Sequence, residues 1–341
     1  MRTVTLADVA DAVGVSPSTV SRVLTSSRPV APEIATRVRE AATRLGYSGN
    51  GIARALRRRR TDTVGMVVPS ILNPFFTSLV DGLERTLHDE GKQLLLCDSR
   101  QDPDVEAEHL RALVERHVDG VVVSPCDDVA SIPAVARTAA AVPLVQLDRR
   151  VEVDGTDWVG LDDHRALGML LEHLRDRGAR VVAFVTSEMT NSSTVDRARG
   201  FRENAALLGL QVAPDGIVLG EFSVASGEAA VRTLFARPQR PDAIVCADDL
   251  IAIGALRACH DLGLRVPEEV QVTGIDDIEF ATYVSPTLTT LAQPTARMAA
   301  EALRLLGLRA AISDGSAHAI EATRLAFSPR LVERESTRSL P

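Results

Sequence analysis

Leu6-Ala-Asp-Val-Ala-Asp-Ala-Val-Gly-Val-Ser-Pro-Ser-Thr-Val-Ser-Arg-Val-Leu24 reads as two short helices broken by a turn. Leu6, Val9, Ala10 and Val13 recur at helical spacing. Gly14 can take the left-handed conformation that ends a helix. Ser16 is placed to cap the next helix, and Pro17 stands at its first position, where a missing N–H costs nothing. Val20, Val23 and Leu24 make a second apolar stripe, with Ser18, Thr19, Ser21 and Arg22 on the opposite face. Short hydroxyls reach phosphates and base edges, and Arg can grip guanine O6 and N7 with two bonds. That face therefore suits a DNA major groove.

An ordinary helical hairpin has the same periodicity, so charge decides between the two readings. Residues 1–60 hold eleven Arg against four acidic residues, a net +7, whereas the rest of the chain carries −15 to give −8 overall. A basic head on an acidic body is the footprint of a DNA-binding domain joined to something else.

Thr5-Leu-Ala-Asp-Val-Ala10 followed by Gly14-Val-Ser-Pro-Ser-Thr-Val-Ser-Arg-Val-Leu24 resembles the head of the LacI family of transcription regulators. In that family the segment after the head folds on DNA as a paired hinge helix. Asn50-Gly-Ile-Ala-Arg-Ala-Leu-Arg-Arg-Arg-Arg60 is similar to it, with Leu56 matching the residue that wedges into the minor groove. The resemblance implies that DNA is met by Thr5, Ser16, Pro17, Ser18, Thr19, Ser21 and Arg22, and by Asn50, Ala53, Arg54 and Leu56 of the hinge. This chain departs from the family pattern at Gly49 and Gly51, where Pro and Ala are usual. Each Gly costs a helix about 1 kcal/mol relative to Ala, so the hinge is expected to be disordered off DNA. Ala31 replaces the usual Ser or Thr cap of the third head helix, which opens at Pro32-Glu33.

From Thr63 onward short apolar runs alternate with amphipathic stretches. Val64–Val68, Leu94–Cys97, Gly120–Val123 and Pro143–Leu147 form one strand series. A second begins at Trp158–Leu161 and continues through Val181–Val185, Ile217–Leu219, Ala243–Cys246 and Val270–Thr273. Such runs mean parallel sheets covered on both faces. The fold expected is an all-α helix-turn-helix head (1–48), a hinge (49–61) and an α/β body (62–341). That body resembles the periplasmic-binding-protein fold, with two Rossmann-like lobes around a cleft.

Ligands in open α/β sheets sit beyond the carboxyl ends of the strands. The residues there are Asn73, Phe75, Phe76, Asp148, Arg149, Ser193, Arg197, Phe222, Asp248, Asp276 and Gln293. Carboxylates, amides and guanidinium groups bind vicinal hydroxyls, and aromatic faces stack on a sugar's C–H faces. The resemblance places the family's effector residues at these positions, most like its ribose-type members. Ala247-Asp248-Asp249 stands where Ala-Asn-Asp is usual. Asp163 and Asp249 are expected to cap helices.

Dinucleotide, P-loop, zincin and nucleophile-elbow motifs are missing, so an enzyme is disfavoured. Four separated cysteines indicate reduced thiols, and neither a metal nor a cofactor is expected. His88, His109 and His173 fall on helical stretches and are expected to face solvent. No run of about 18 apolar residues suggests a membrane span, and the N-terminus lacks a signal-peptide core, so the protein is expected in the cytoplasm at the nucleoid. The function implied is a homodimeric repressor of a pseudo-palindromic operator, controlled by a small sugar, a ribose-like pentose. A purine or nucleoside corepressor mechanism and a soluble sugar receptor are the alternatives.

Overall fold

The computed structural model describes residues 4–25, 28–47, 61–313, 315, 318 and 321–339. The chain divides after Thr61 into two units. The first holds α1 (Leu6–Val13), α2 (Pro17–Thr25) and α3 (Pro32–Leu45). Thr5 caps α1 in a reciprocal box: its hydroxyl accepts from Asp8 N, and its own N–H donates to Asp8 Oδ2 at 2.7 Å. Gly14 ends α1 at φ 74°. Thr19 N donates to Ser16 Oγ at 3.2 Å, so Ser16 caps α2. Ala31 gives α3 no side-chain cap, as its residue type dictates. Val9, Val13, Val20, Val23 and Val38 close the small core. Arg37 reaches back to donate to the carbonyl of Val13 at 2.8 Å.

The second unit is two α/β lobes. The first lobe contains β1 (Thr63–Val68), α4 (Pro74–Asp89), β2 (Gln93–Asp98), α5 (Pro103–Glu115), β3 (Gly120–Val123), α6 (Ile132–Ala141), β4 (Leu144–Leu147) and β5 (Asp157–Leu161). The second contains α7 (Asp163–Asp176), β6 (Val181–Ser187), α8 (Ser192–Leu207), β7 (Gln211–Gly220), α9 (Val224–Phe235), β8 (Ala243–Cys246), α10 (Asp249–Asp261), β9 (Gln271–Asp276) and β10 (Thr289–Ala292). The chain then returns. Helix α11 (Thr295–Ser313) and β11 (Arg324–Phe327) join the first lobe, and β12 (Arg330–Val332) joins the second.

The first sheet runs β11-β5-β4-β3-β1-β2, all neighbours parallel. The second runs β12-β10-β9-β8-β6-β7, with β12 alone antiparallel to its neighbour. Strands β3, β4 and β8 are buried from end to end, which explains their largely apolar content.

Two sequence expectations are corrected, and one feature was missed. Trp158–Leu161 belongs to the first sheet, paired with β4, rather than opening the second series. The returns through α11, β11 and β12 were not expected. The lobes are therefore joined by three strands of chain, near Asp162, Gln293 and Ser328. His173 is buried rather than solvated, and its Nε2 lies 2.9 Å from Thr337 Oγ1.

Backbone meets backbone where α9 packs on α10. A Cβ on Gly254 would strike the carbonyl of Val224, and one on Gly227 the carbonyl of Ile251. Neither atom can move without shifting its helix. Gly254→Ala is expected to cost about 3 kcal/mol, the upper range for overpacking, read as a lowered urea midpoint. A midpoint unchanged from wild type would show that the helices separate at little cost.

Candidate functional site

The strand ends of both lobes open on a shared cleft. Asn73, Phe75 and Phe76 come from the start of α4, and Asp148 and Arg149 follow β4. From the second lobe come Ser193 and Arg197 of α8, Phe222 ahead of α9, Asp248 ahead of α10, and Asp276 at the end of β9. These ten residues line one cavity. Gln293 stands behind it, on a connection between lobes, and donates from Nε2 to Asp276 Oδ1 at 2.7 Å. The room left is about 20 Å³, space for roughly one water.

Helix caps place several of these groups. Asn73 caps α4 through Phe75 N, and Asp248 caps α10 through Ile251 N at 2.8 Å. The sequence placed the caps at Asp163 and Asp249, one residue too late: the caps are Asp162 and Asp248. This frees Asp163 to accept from Arg197 Nε at 2.7 Å, and Asp249 to accept from Ile278 N and Thr290 Oγ1. Asp148 and Asp276 sit at φ 67° and 122°, conformations that side chains rarely take. Trp158 Nε1 fixes the first by donating to the carbonyl of Asp148 at 3.0 Å.

Charge in this cleft is poorly compensated. Arg197, 4% exposed, spends Nε on Asp163 and donates from Nη1 to Ala247 O at 2.6 Å. Burial alone would lower its pKa, but Asp163, Asp276 and Asp148 outweigh this and hold it charged. Arg149 is the opposite case: burial pulls it below its usual value, only partly offset by Asp148. Its guanidinium lies between two rings, 5.6 Å from Phe76 and 5.4 Å from Phe222. Burial pushes Asp163 and Asp248 up to about 6, against Arg197, and lifts Asp276 well above the usual carboxylate range.

The lobes meet around this site. Asn73 Nδ2 donates to Asp248 Oδ2 at 3.3 Å and Arg150 Nη2 to Asp196 Oδ2 at 2.8 Å. Backbone N–H groups of Arg150 and Asp128 donate to Ser192 Oγ and Thr190 O. Arg150 was absent from the expected site, and its signal was only its place after Asp148-Arg149.

In the head, Ser18 and Arg22 are exposed, while Thr19 and Ser21 are half-buried. Ser16 Oγ lies 2.8 Å from Ser18 Oγ and 2.9 Å from Thr19 Oγ1. Thr5 Oγ1 donates to Asp8 Oδ2 at 2.7 Å, so Thr5 builds the helix start as well as lying beside its tip. Asn50, Ala53, Arg54 and Leu56 lie outside the described residues. Among those described, no helix is long and apolar enough to cross a membrane, and no group of three metal-ligating side chains occurs.

Asp248→Asn tests the electrostatics. Asn caps a helix as well as Asp and carries no charge. Wild-type Asp248 titrates near 6 when folded and near 3.8 when unfolded. Its burial penalty is absent below the lower value, grows as pH rises from the lower value to the upper, and is constant above it. Denaturant unfolding of ligand-free protein should show the variant gaining about 2 kcal/mol on wild type between pH 4 and 7. A pH-independent difference would remove the charge penalty assigned here.

Residues 5–50 match the family model for bacterial regulatory proteins of the lacI family, and 171–337 match that for a periplasmic binding protein-like domain. The HTH-type transcriptional repressor PurR of Mannheimia succiniciproducens is 32% identical over 98% of this chain and 99% of its own. A structure of the transcriptional regulator CelR with cellobiose is 32% identical, covering 98% of this chain and 99% of that one, with a TM-score of 0.71. The lac repressor dimer bound to operator is 26% identical, with a TM-score of 0.87 over 99% of this chain and 100% of that one. With a helix-turn-helix head and a two-lobed binding body, the chain belongs to the LacI family of DNA-binding transcription regulators, a family of regulators and not of enzymes.

Proposed function

We propose that this protein is a cytoplasmic repressor that binds a pseudo-palindromic operator as a homodimer and answers to a small polyhydroxylated effector of pentose size. The observation that carries the effector reading is the convergence of ten polar and aromatic residues from both lobes on one cavity. Carboxylates there accept from hydroxyls, and the Phe76 and Phe222 faces cover C–H faces. The room left is too small for a pentose, so entry requires the lobes to part or Arg149 to withdraw. The contacts Asn73–Asp248 and Arg150–Asp196 then re-form at a different lobe angle or not at all. Operator and effector affinities are coupled reciprocally through that angle: whatever factor the effector imposes on DNA, DNA imposes on the effector.

A second reading has its own support. The flat guanidinium of Arg149 lies between two phenyl rings, a slot that a purine ring also fits, and PurR is the name of several relatives. Thermal shift of the full chain with ribose, cellobiose, hypoxanthine and guanosine separates the two, because a ligand that binds the folded state raises its melting temperature. A shift with ribose but not with the purines supports the pentose. A shift with hypoxanthine alone, and tighter operator binding in its presence, replaces it with the corepressor.

On the head, Arg22→Ala is expected to lose about 1–3 kcal/mol of specific operator affinity and to relax preference at one base pair per half-site. The measurement is a gel shift against operator variants. Unchanged affinity and preference would remove Arg22 from base reading.

A further inference from the structure

The cleft holds four carboxylates, Asp148, Asp163, Asp248 and Asp276, against the two guanidinium groups of Arg149 and Arg197. Asp163 is matched by Arg197. The other three are not matched by any direct ion pair among the described residues. Asp276 receives the neutral amide of Gln293. Asp248 receives the backbone N–H of Ile251 and the amide of Asn73. The Asp148 carboxylate, on a residue 5% exposed and lining the cavity, has no hydrogen-bond donor among the described residues. Arg149 acts on it through charge at longer range and makes no hydrogen bond to it, its guanidinium lying over the Phe76 and Phe222 rings.

Those rings supply an independent observation. Phe76 belongs to one lobe and Phe222 to the other, and the group held between them is a cation. Ring faces attract positive charge, more strongly where water is excluded. The slot that an effector must enter is thus already suited to a cation, with carboxylates in no direct ion pair beside it.

We propose that the effector is a polyhydroxylated cation, a pentose-sized sugar or sugar alcohol bearing a protonated amine, with Asp248 the residue that selects its charge. This rests on reading the cleft as a polyol site. An ammonium group supplies N–H donors and positive charge together: donors that the Asp148 carboxylate lacks, and a direct cation that Asp248 and Asp276, bonded to neutral donors, do not have. A neutral sugar supplies only the donors and leaves the charge imbalance in place. Burial holds Asp276 well above the carboxylate range, and a cation seated beside it would bring it back down. Asp248 contributes acceptors alone. An Asn there would offer a donor and one charge fewer, and would suit a neutral sugar.

The test is calorimetry on the full chain with a matched pair of probes. These are iminoribitol, whose ring nitrogen is protonated at neutral pH, and anhydroribitol, its ring-oxygen isostere. Ribose is titrated alongside. Iminoribitol is expected to bind at least tenfold more tightly than anhydroribitol. In Asp248→Asn, whose helix cap is preserved, that preference is expected to fall at least tenfold, with the unliganded fold checked by its melting curve. Anhydroribitol or ribose binding as tightly as iminoribitol overturns the charge assignment while leaving the polyol site standing. A preference for the cation that survives unchanged in Asp248→Asn overturns the role of Asp248. Failure of all three probes to bind overturns the polyol reading, and this inference with it.

Discussion

Much of the body depends on keeping charge in a place that excludes water. Arg197 is the clearest instance: one buried guanidinium holds Asp163 of α7 and the carbonyl of Ala247, just ahead of the Asp248 cap of α10. It thereby ties together the beginnings of α7, α8 and α10 at one end of the second sheet. Removing one partner of such a pair leaves the other buried and alone, which typically costs about 3–5 kcal/mol. Arg197 therefore serves the fold and the cavity together.

The same constraint shapes the rest of the cleft. Carboxylates at strand ends are tolerated because helix N-termini and backbone N–H groups face them. Asp248 uses this support by capping α10, and Asp249 by accepting from Ile278 N. Asp148 does not, and the left-handed backbone that presents it is held by Trp158 instead. A cleft assembled this way is poised: its side chains are fixed by the fold, and part of their bonding capacity is left for a ligand. The chain's three passages between lobes confine relative motion of the lobes to short connections. Gln293, on one of them, is bonded to a residue of the cavity.

Local patterning determined much of this protein. Helical spacing, Gly14, Ser16 and Pro17 specified α1, the turn and α2, because capping and periodicity act within a few residues. Continuous apolar runs specified parallel strands, and the rule that ligands lie beyond strand ends gathered the ten cavity residues from segments far apart in sequence. What failed was whatever depends on partners distant in the chain. Trp158–Leu161 reads alike in either sheet, and only pairing with β4 assigns it to the first. Adjacent aspartates at 162–163 and 248–249 look equivalent until backbone geometry makes the first of each pair the cap. His173 sits on a polar-looking stretch, and in the fold it is buried and meets Thr337 of the returning tail. Tertiary structure alone decided which carboxylates gained a cation and which did not. Electrostatic balance is set by distances between elements, and sequence spacing does not encode those distances.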